Sequence, residues 1–128
     1  MNKLYLLALA LVVGCASAGG GGTAQTGADR NVIMAEEISS VPSANLYDLI
    51  EKLRPNMLRS RGPSTFGGSA TSEYPDVYPD GRRYGDVSSL RSIVSSQVSR
   101  VRYYSASDAA AKFGMINASG VIEVTSKQ

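Results

Sequence analysis

The chain has 128 residues, 43% of them hydrophobic, and 13 basic against 11 acidic side chains give it a formal charge of +2. Such a composition excludes a wholly disordered chain and a multi-span membrane protein, and the length suits one small domain. One Cys and no His exclude a disulfide framework and a Cys/His metal site within a single chain. They also remove the usual general base near neutral pH.

Lys3 supplies a short positive start, and residues 4–13 form an apolar run. That run is too short for a membrane span, which takes about 20 residues, and it has the length of a signal peptide. It ends in Val12-Val13-Gly14-Cys15. These four residues resemble a bacterial lipobox: two apolar or small residues, a small one, then Cys. The resemblance implies signal cleavage between Gly14 and Cys15, a diacylglyceryl group on the Cys15 thiol, and a further acyl chain such as palmitate on the freed amine. Each buried CH2 contributes roughly 0.8 kcal/mol, so two or three chains anchor firmly where one does not. Two other readings are an ordinary signal peptide cleaved near Ala16-Ser17-Ala18 and an uncleaved anchor.

Losing Lys3 from the 13 basic side chains leaves 12 against 11 acidic ones. That balance argues against nucleic-acid binding driven by bulk charge and offers no polybasic membrane patch. Ala16 rather than Asp after the Cys resembles the outer-membrane address of Gram-negative lipoproteins. Residues 16–29, rich in Gly, Ser, Thr and Ala, read as a flexible linker with a root-mean-square span of roughly 20 Å. Gly19 to Gly22 are no phosphate loop, because no Gly-Lys-Ser/Thr follows them.

A folded domain is expected over 30–128. Residues 31–34 read as a strand and 35–38 as one helical turn. Asn45 is a candidate N-cap, with Asp48 three residues on. Leu46, Leu49, Ile50 and Leu53 recur at helical spacing, and Pro55 ends that helix. Residues 56–61 read as a short strand or extended stretch, and 62–75 as a polar loop. Residues 76–79 and 82–84 flank Asp80-Gly81, a hairpin with a type I′ turn, and Pro79 belongs at an edge or beside the turn. A short helix from Asp86 to Ile93 buries Leu90 and Ile93. A strand over 98–104 leads to a helix from a capping-box-like Ser105 to Phe113, with Gly114 as its C-cap. Residues 120–125 close as a strand. The fold class is α+β: a small mixed sheet of short strands with about three short helices.

This order of motifs resembles the plug domain of TonB-dependent outer-membrane receptors. The matching residues are Tyr78-Pro79-Asp80-Gly81, the pair Leu90 and Ile93, the strand Val98 to Tyr104, the small-residue helix Ala106 to Phe113 with Gly114, and Gly120 to Lys127. The resemblance covers about residues 30–127 and is tightest in the C-terminal half. It implies a plug-like domain at the outer membrane, facing the periplasm. A protein partner is implied too, either an outer-membrane barrel or a periplasmic protein. No receptor barrel is expected to follow, and the Gly-rich linker shows no clear TonB box, so ferric-ligand transport is not expected to carry over. The expected function is a lipid-anchored binding or adaptor module. The alternatives are an accessory to a separate transport barrel and a stand-alone structural lipoprotein.

Within the domain, candidate residues also have plainer readings. Arg82 and Arg83 flank the turn, where they meet an acidic partner or, by preference, solvent. Arg100 and Arg102 share one strand face. Tyr103 and Tyr104 face opposite ways, so one belongs to the core. Tyr47, Tyr78 and Tyr84 are expected to pack. Asp80 and Gly81 serve the turn. Glu36 and Glu37 are adjacent, a poor spacing for a catalytic carboxylate pair. Asn117-Ala118-Ser119 matches a sequon without weight in a bacterial lipoprotein. No Gly-x-Ser-x-Gly elbow occurs, and no enzymatic activity, cofactor or metal is expected.

Overall fold

The computed structural model describes residues 29–60, 65–66, 69–70, 73–114 and 119–128. The leader, Gly14, Cys15 and the linker through residue 28 lie outside the described residues. Asp29 closes the first turn: its carbonyl accepts the Val32 N–H at 2.6 Å and its carboxylate accepts the Asn31 N–H at 3.1 Å. Strand β1, Val32–Met34, runs directly into helix α1, Ala35–Ser40. Helix α2, Leu46–Leu53, starts as its sequence predicts. Asn45 Oδ1 accepts the Asp48 N–H at 2.9 Å, and Asn45 Nδ2 donates to the Asp48 carboxylate at 2.9 Å. Its apolar face is fully buried at Leu46, Leu49 and Ile50, and Leu53 packs against the same core.

Pro55 does end α2, but residues 56–58 of the strand or extended stretch expected over 56–61 belong to a 3-10 turn, Pro55–Leu58; Arg59 beyond it is extended, and Arg61 lies outside the described residues. Pro55 takes the first helical position, where a missing N–H is no loss, and the tight turn directs Met57 and Leu58 into the core. The polar loop expected over 62–75 contains two short strands, β2 (Thr65–Phe66) and β3 (Ser69–Ala70), which pair only with each other.

Strand β4, Asp76–Pro79, enters the predicted type I′ turn. Asp80 and Gly81 have φ of +48° and +81°, and the Arg82 N–H donates to the Pro79 carbonyl at 3.1 Å. Closing Pro79 on Arg82 would oppose Val77 to Tyr84. The observed partner of Val77 is Gly85, so one residue among Arg82–Tyr84 is extra. The returning strand β5 is therefore Gly85–Asp86, later than the expected 82–84. Pro79 stands beside the turn, as expected. Asp76 and Asp80 donate to the Gly120 and Val124 carbonyls of the neighbouring strand, so by alternation the Pro79 nitrogen faces the hairpin side.

The helix expected after Asp86 is a 3-10 turn, Val87–Ser92. Asp86 caps it by accepting the Ser88 N–H at 2.9 Å; Leu90 is buried, and Ile93 packs just past the end. A second 3-10 turn, Ser95–Gln97, leads into β6, Val98–Tyr104. Helix α3, Ala106–Phe113, is capped by Ser105 and leaves through Gly114 at φ +99°. Strand β7, Val121–Ser126, completes the domain.

The main sheet has the order β1-β6-β7-β4-β5, antiparallel except for the parallel pair β4 and β7. This is the mixed sheet of a small α+β domain. Cross-strand partners share a face, and the register sorts the side chains into two sets. Ile33, Val101, Tyr103, Ile122, Val124 and Val77 point to one side. There they form the core with Ile38 of α1, the buried face of α2, Met57, Leu58, Val87 and Leu90. A bulge between Val98 and Arg100 lets Val98 and Val101, three apart, both face this core. Helix α3 lies on the opposite side, where the Phe113 ring meets Tyr78 at 4.5 Å and Tyr104 at 5.6 Å between centroids.

Gly120 sets the entry into β7. At its φ of +95°, a Cβ would lie 2.6 Å from the Tyr104 carbonyl oxygen and 2.9 Å from the Tyr103 hydroxyl, whereas a Cβ at Gly114 meets nothing within 4 Å. Both positions carry the strain of positive φ, but only Gly120 adds a backbone collision. Gly120→Ala should lower the unfolding free energy by at least about 3 kcal/mol, and Gly114→Ala by about 1–2 kcal/mol. Urea titrations of the two variants check this; equal losses would show that φ alone matters at Gly120.

Candidate functional site

The second face of the sheet is covered over only part of its area. The register places Val32, Arg102, Glu123 and Tyr78 in one cross-strand row. Met34, Arg100 and Thr125 form the next row toward one end, and Tyr104, Val121 and Asp76 the next toward the other. Helix α3 shields the Tyr104 end, where Val121 and Ala109 are fully buried. The other end stays open: Arg100 and Arg102 are exposed, and so is Met34 at 49%.

A closed polar triangle fastens α3 to the sheet. Lys112 Nζ donates to the Tyr104 hydroxyl at 2.7 Å and to both Glu123 oxygens at 2.9 and 3.0 Å. The Tyr104 hydroxyl donates to Glu123 Oε2 at 2.8 Å. Hydrogen bonds to Tyr104 and Glu123 raise the Lys112 pKa above its ordinary value. Burial pushes the Glu123 carboxyl upward, but the bonds from Lys112 and Tyr104 outweigh it and hold the group below the usual carboxylate value. The ammonium also lies 4.5 Å from the Tyr104 ring centre and 5.1 Å from that of Phe113.

Beside α3, where β1 begins and β6 ends, lies an open cleft of about 290 Å³. Its walls include Asp29, Asn31, Arg102, Tyr104, Asp108 and Ala111. The Arg102 guanidinium sits 5.1 Å over the Tyr104 ring. Asp108 is held by the cap of α3, accepting the Ser105 hydroxyl at 2.7 Å. A second hollow of about 250 Å³, lined by Arg30, Asn31, Arg54, Asn56, Met57 and Tyr103, shares Asn31 and Tyr103 with the first.

The sequence-predicted residues distribute unevenly over these features. Arg100 and Arg102 do share an exposed face. Tyr103 belongs to the core and Tyr104 to the opposite side, as their adjacency implies. Tyr47 packs partly against the core, with the Arg91 guanidinium 3.9 Å over its ring, and Tyr78 packs against Phe113 with the rings tilted by 46°. Tyr84 departs from the packing expectation: it is 58% exposed, and its hydroxyl meets the Ser92 hydroxyl at 3.3 Å. The extra residue in the hairpin return swings it outward. Arg83 is exposed, as the solvated-turn reading expects, and it is also paired. Its guanidinium grips the buried Asp76 carboxylate with two bonds, at 3.0 and 3.2 Å, which raises the Arg83 pKa. Arg82 stays exposed at the turn.

Glu37 pairs with Arg54 at 3.0 Å, while its neighbour Glu36 faces solvent. Asp80 does more than turn the chain. Its carboxylate accepts the Ser126 N–H at 3.0 Å and the Ser126 hydroxyl at 2.7 Å, which lowers its pKa. Gly14, Cys15, Asn117 and Ala118 lie outside the described residues. Sequence reasoning missed the Lys112–Tyr104–Glu123 triangle and the role of Asp108 in a cleft wall. Only the i+4 spacing of Asp108 and Lys112 hinted that both would lie on one face of α3.

Among the described residues, no group of three or more His, Cys, Asp or Glu is placed to hold a metal ion, and no helix is long and apolar enough to cross a membrane. No family model matches the chain, and no curated protein matches it.

Two outcomes follow from these contacts. Arg83→Ala strands the buried Asp76 carboxylate and should cost about 2 kcal/mol, whereas adding Asp76→Asn should restore about half of that loss. Urea titration of the single and double variants tests this coupling; simple additivity would refute it. The Lys112–Glu123 pair makes the second outcome pH-dependent. A depressed Glu123 pKa contributes stability above the ordinary carboxylate value that is lost as pH falls through the folded value. A raised Lys112 pKa contributes stability below the ordinary lysine value that is lost as pH rises through the folded one. The stability gap between native protein and Lys112→Met should therefore be widest between about pH 5 and 10, at under about 1 kcal/mol, and narrow on both sides. A gap independent of pH, measured by urea midpoints, would contradict the pairing.

Proposed function

We propose that the protein is an outer-membrane lipoprotein, anchored through Cys15 and facing the periplasm, whose plug-like domain acts as a non-enzymatic binding or adaptor module. The observation that carries this reading is the only Cys of the chain, placed at the end of the apolar run in Val12-Val13-Gly14-Cys15. The domain behind it supplies support of a second kind. The segments that resemble a receptor plug, around Asp80-Gly81, over Val98–Tyr104, through Ala106–Phe113 and over Val121–Ser126, belong to adjoining elements of one sheet and its covering helix. A domain held to the membrane through a lipid gains effective concentration toward anything on the same membrane. The open half of the second face provides surface for a partner, an outer-membrane barrel or a periplasmic protein.

Metabolic labelling tests the anchor. Native protein should incorporate palmitate and fractionate with outer membranes, and Cys15→Ala should do neither. Native protein that takes up no label and stays soluble would refute the lipoprotein reading. In-cell crosslinking followed by purification from membranes tests the adaptor role. The expected result is a barrel or periplasmic protein enriched with the native form and lost with Cys15→Ala; no enriched protein would refute that role.

A further inference from the structure

The cleft between the start of β1, the end of β6 and helix α3 combines opposite charges that form no direct ion pair with one another. Arg102 lines it together with Asp29 and Asp108. Among the described residues, no carboxylate oxygen comes within the 4.0 Å salt-bridge distance of Arg102. Each charged group is instead held in place by a neighbour of another kind. Arg102 lies over the Tyr104 ring, Asp29 accepts the Asn31 N–H through Oδ1, and Asp108 accepts the Ser105 hydroxyl through Oδ2. Separated, positioned charges of both signs in one open cleft match a small molecule that carries both signs itself.

We propose that this cleft binds a zwitterion with a phosphate and a primary ammonium, of the phosphoethanolamine type, as the headgroup of a phospholipid. Arg102 takes the phosphate, where a guanidinium offers paired N–H donors. The remaining oxygens of Asp29 and Asp108 take the ammonium, whose three N–H groups a quaternary ammonium lacks. The geometry of the chain favours the membrane as the source. Asp29, a wall of the cleft, is also where the chain arrives from Cys15, and that stretch reaches at most about 50 Å when fully extended. A site this open binds weakly on its own, and headgroups held at the anchoring surface compensate by local concentration. The membrane source rests on the Cys15 anchor; the chemistry of the cleft does not.

The test uses the mature chain from Cys15 onward and amide NMR. Glycerophosphoethanolamine, added as a soluble probe, should shift the Asn31, Arg102, Asp108 and Ala111 signals with saturation in the millimolar range. Glycerophosphoglycerol, which lacks the ammonium, should bind at least tenfold more weakly. Arg102→Met should abolish binding of both probes, and Asp29→Asn/Asp108→Asn should bind both equally. Absent shifts, equal binding of both probes by the native chain, or full binding by Arg102→Met overturns the site. The membrane arm couples the Cys15 thiol to a maleimide lipid in nanodiscs, so it is independent of lipidation in the cell. The same signals should shift in discs containing phosphatidylethanolamine and not in discs of phosphatidylcholine alone. Shifts with the soluble probe but none in either disc overturn the membrane as source and leave a soluble phosphoethanolamine ligand. Failure of palmitate labelling with success in the nanodiscs would remove the native anchor and keep the site.

Discussion

Strand β7 has to be satisfied on both edges and both faces at once, and most of the domain is arranged around that demand. Its edges are taken by β6, antiparallel, and β4, parallel. Its faces are buried alternately: Ile122 and Val124 by the helical layer, Val121 beneath α3. Any side chain at Gly120 would collide with the Tyr104 carbonyl, so the chain can turn into this slot only through a glycine. At the far end, the Asp80 carboxylate takes both the backbone N–H and the hydroxyl of Ser126, which ties the β4 turn to the strand it parallels. Lys127 then donates from its backbone to Gln97 and from its side chain to Ser96, so the C-terminal strand is held on the 3-10 turn before β6 as well.

The two faces of the sheet are stabilised differently, and that difference leaves room for function. The core side is apolar and closed by two helices and two 3-10 turns. Burial there is non-directional and scales with area, so it tolerates irregular elements provided Met57, Leu58 or Leu90 reach inward. Among the described residues, the opposite side has a single eight-residue helix as cover. It is held by a small aromatic cluster and by the Lys112–Tyr104–Glu123 triangle. A helix this short shields only part of a five-stranded sheet, and the strip carrying Met34, Arg100 and Arg102 stays in solvent. The cleft arises where this cover stops, at the end of β6 and next to the chain entry at Asp29.

Local chemistry was legible where it acts over a few residues. Asn45 with Asp48, and Ser105 with Asp108, cap the helices that their sequence announces, and Asp80-Gly81 makes the type I′ turn. The alternation in Val98–Tyr104 correctly sent Tyr103 and Tyr104 to opposite faces. The errors lie where register or packing decides. The one-residue excess after the turn moved β5 along the chain, put Tyr84 into solvent and brought Arg83 onto Asp76. The turn over 55–58 is helical because the core draws in Met57 and Leu58, which no local signal announces.

The sequence by itself determined the capped helices α2 and α3, the strand Val98–Tyr104, the Asp80-Gly81 turn and the α+β class, because these follow from dihedral preference and hydrogen bonds between near neighbours. The same is true of the apolar face of α2 and the two faces of β6, which are periodicities of the chain itself. Only the tertiary structure decided that β4 runs parallel to β7, that Lys112 reaches Glu123, and that Asp29, Arg102 and Asp108 line one cleft. Those pairings join segments far apart in the chain, and their geometry is set by which faces must be buried together.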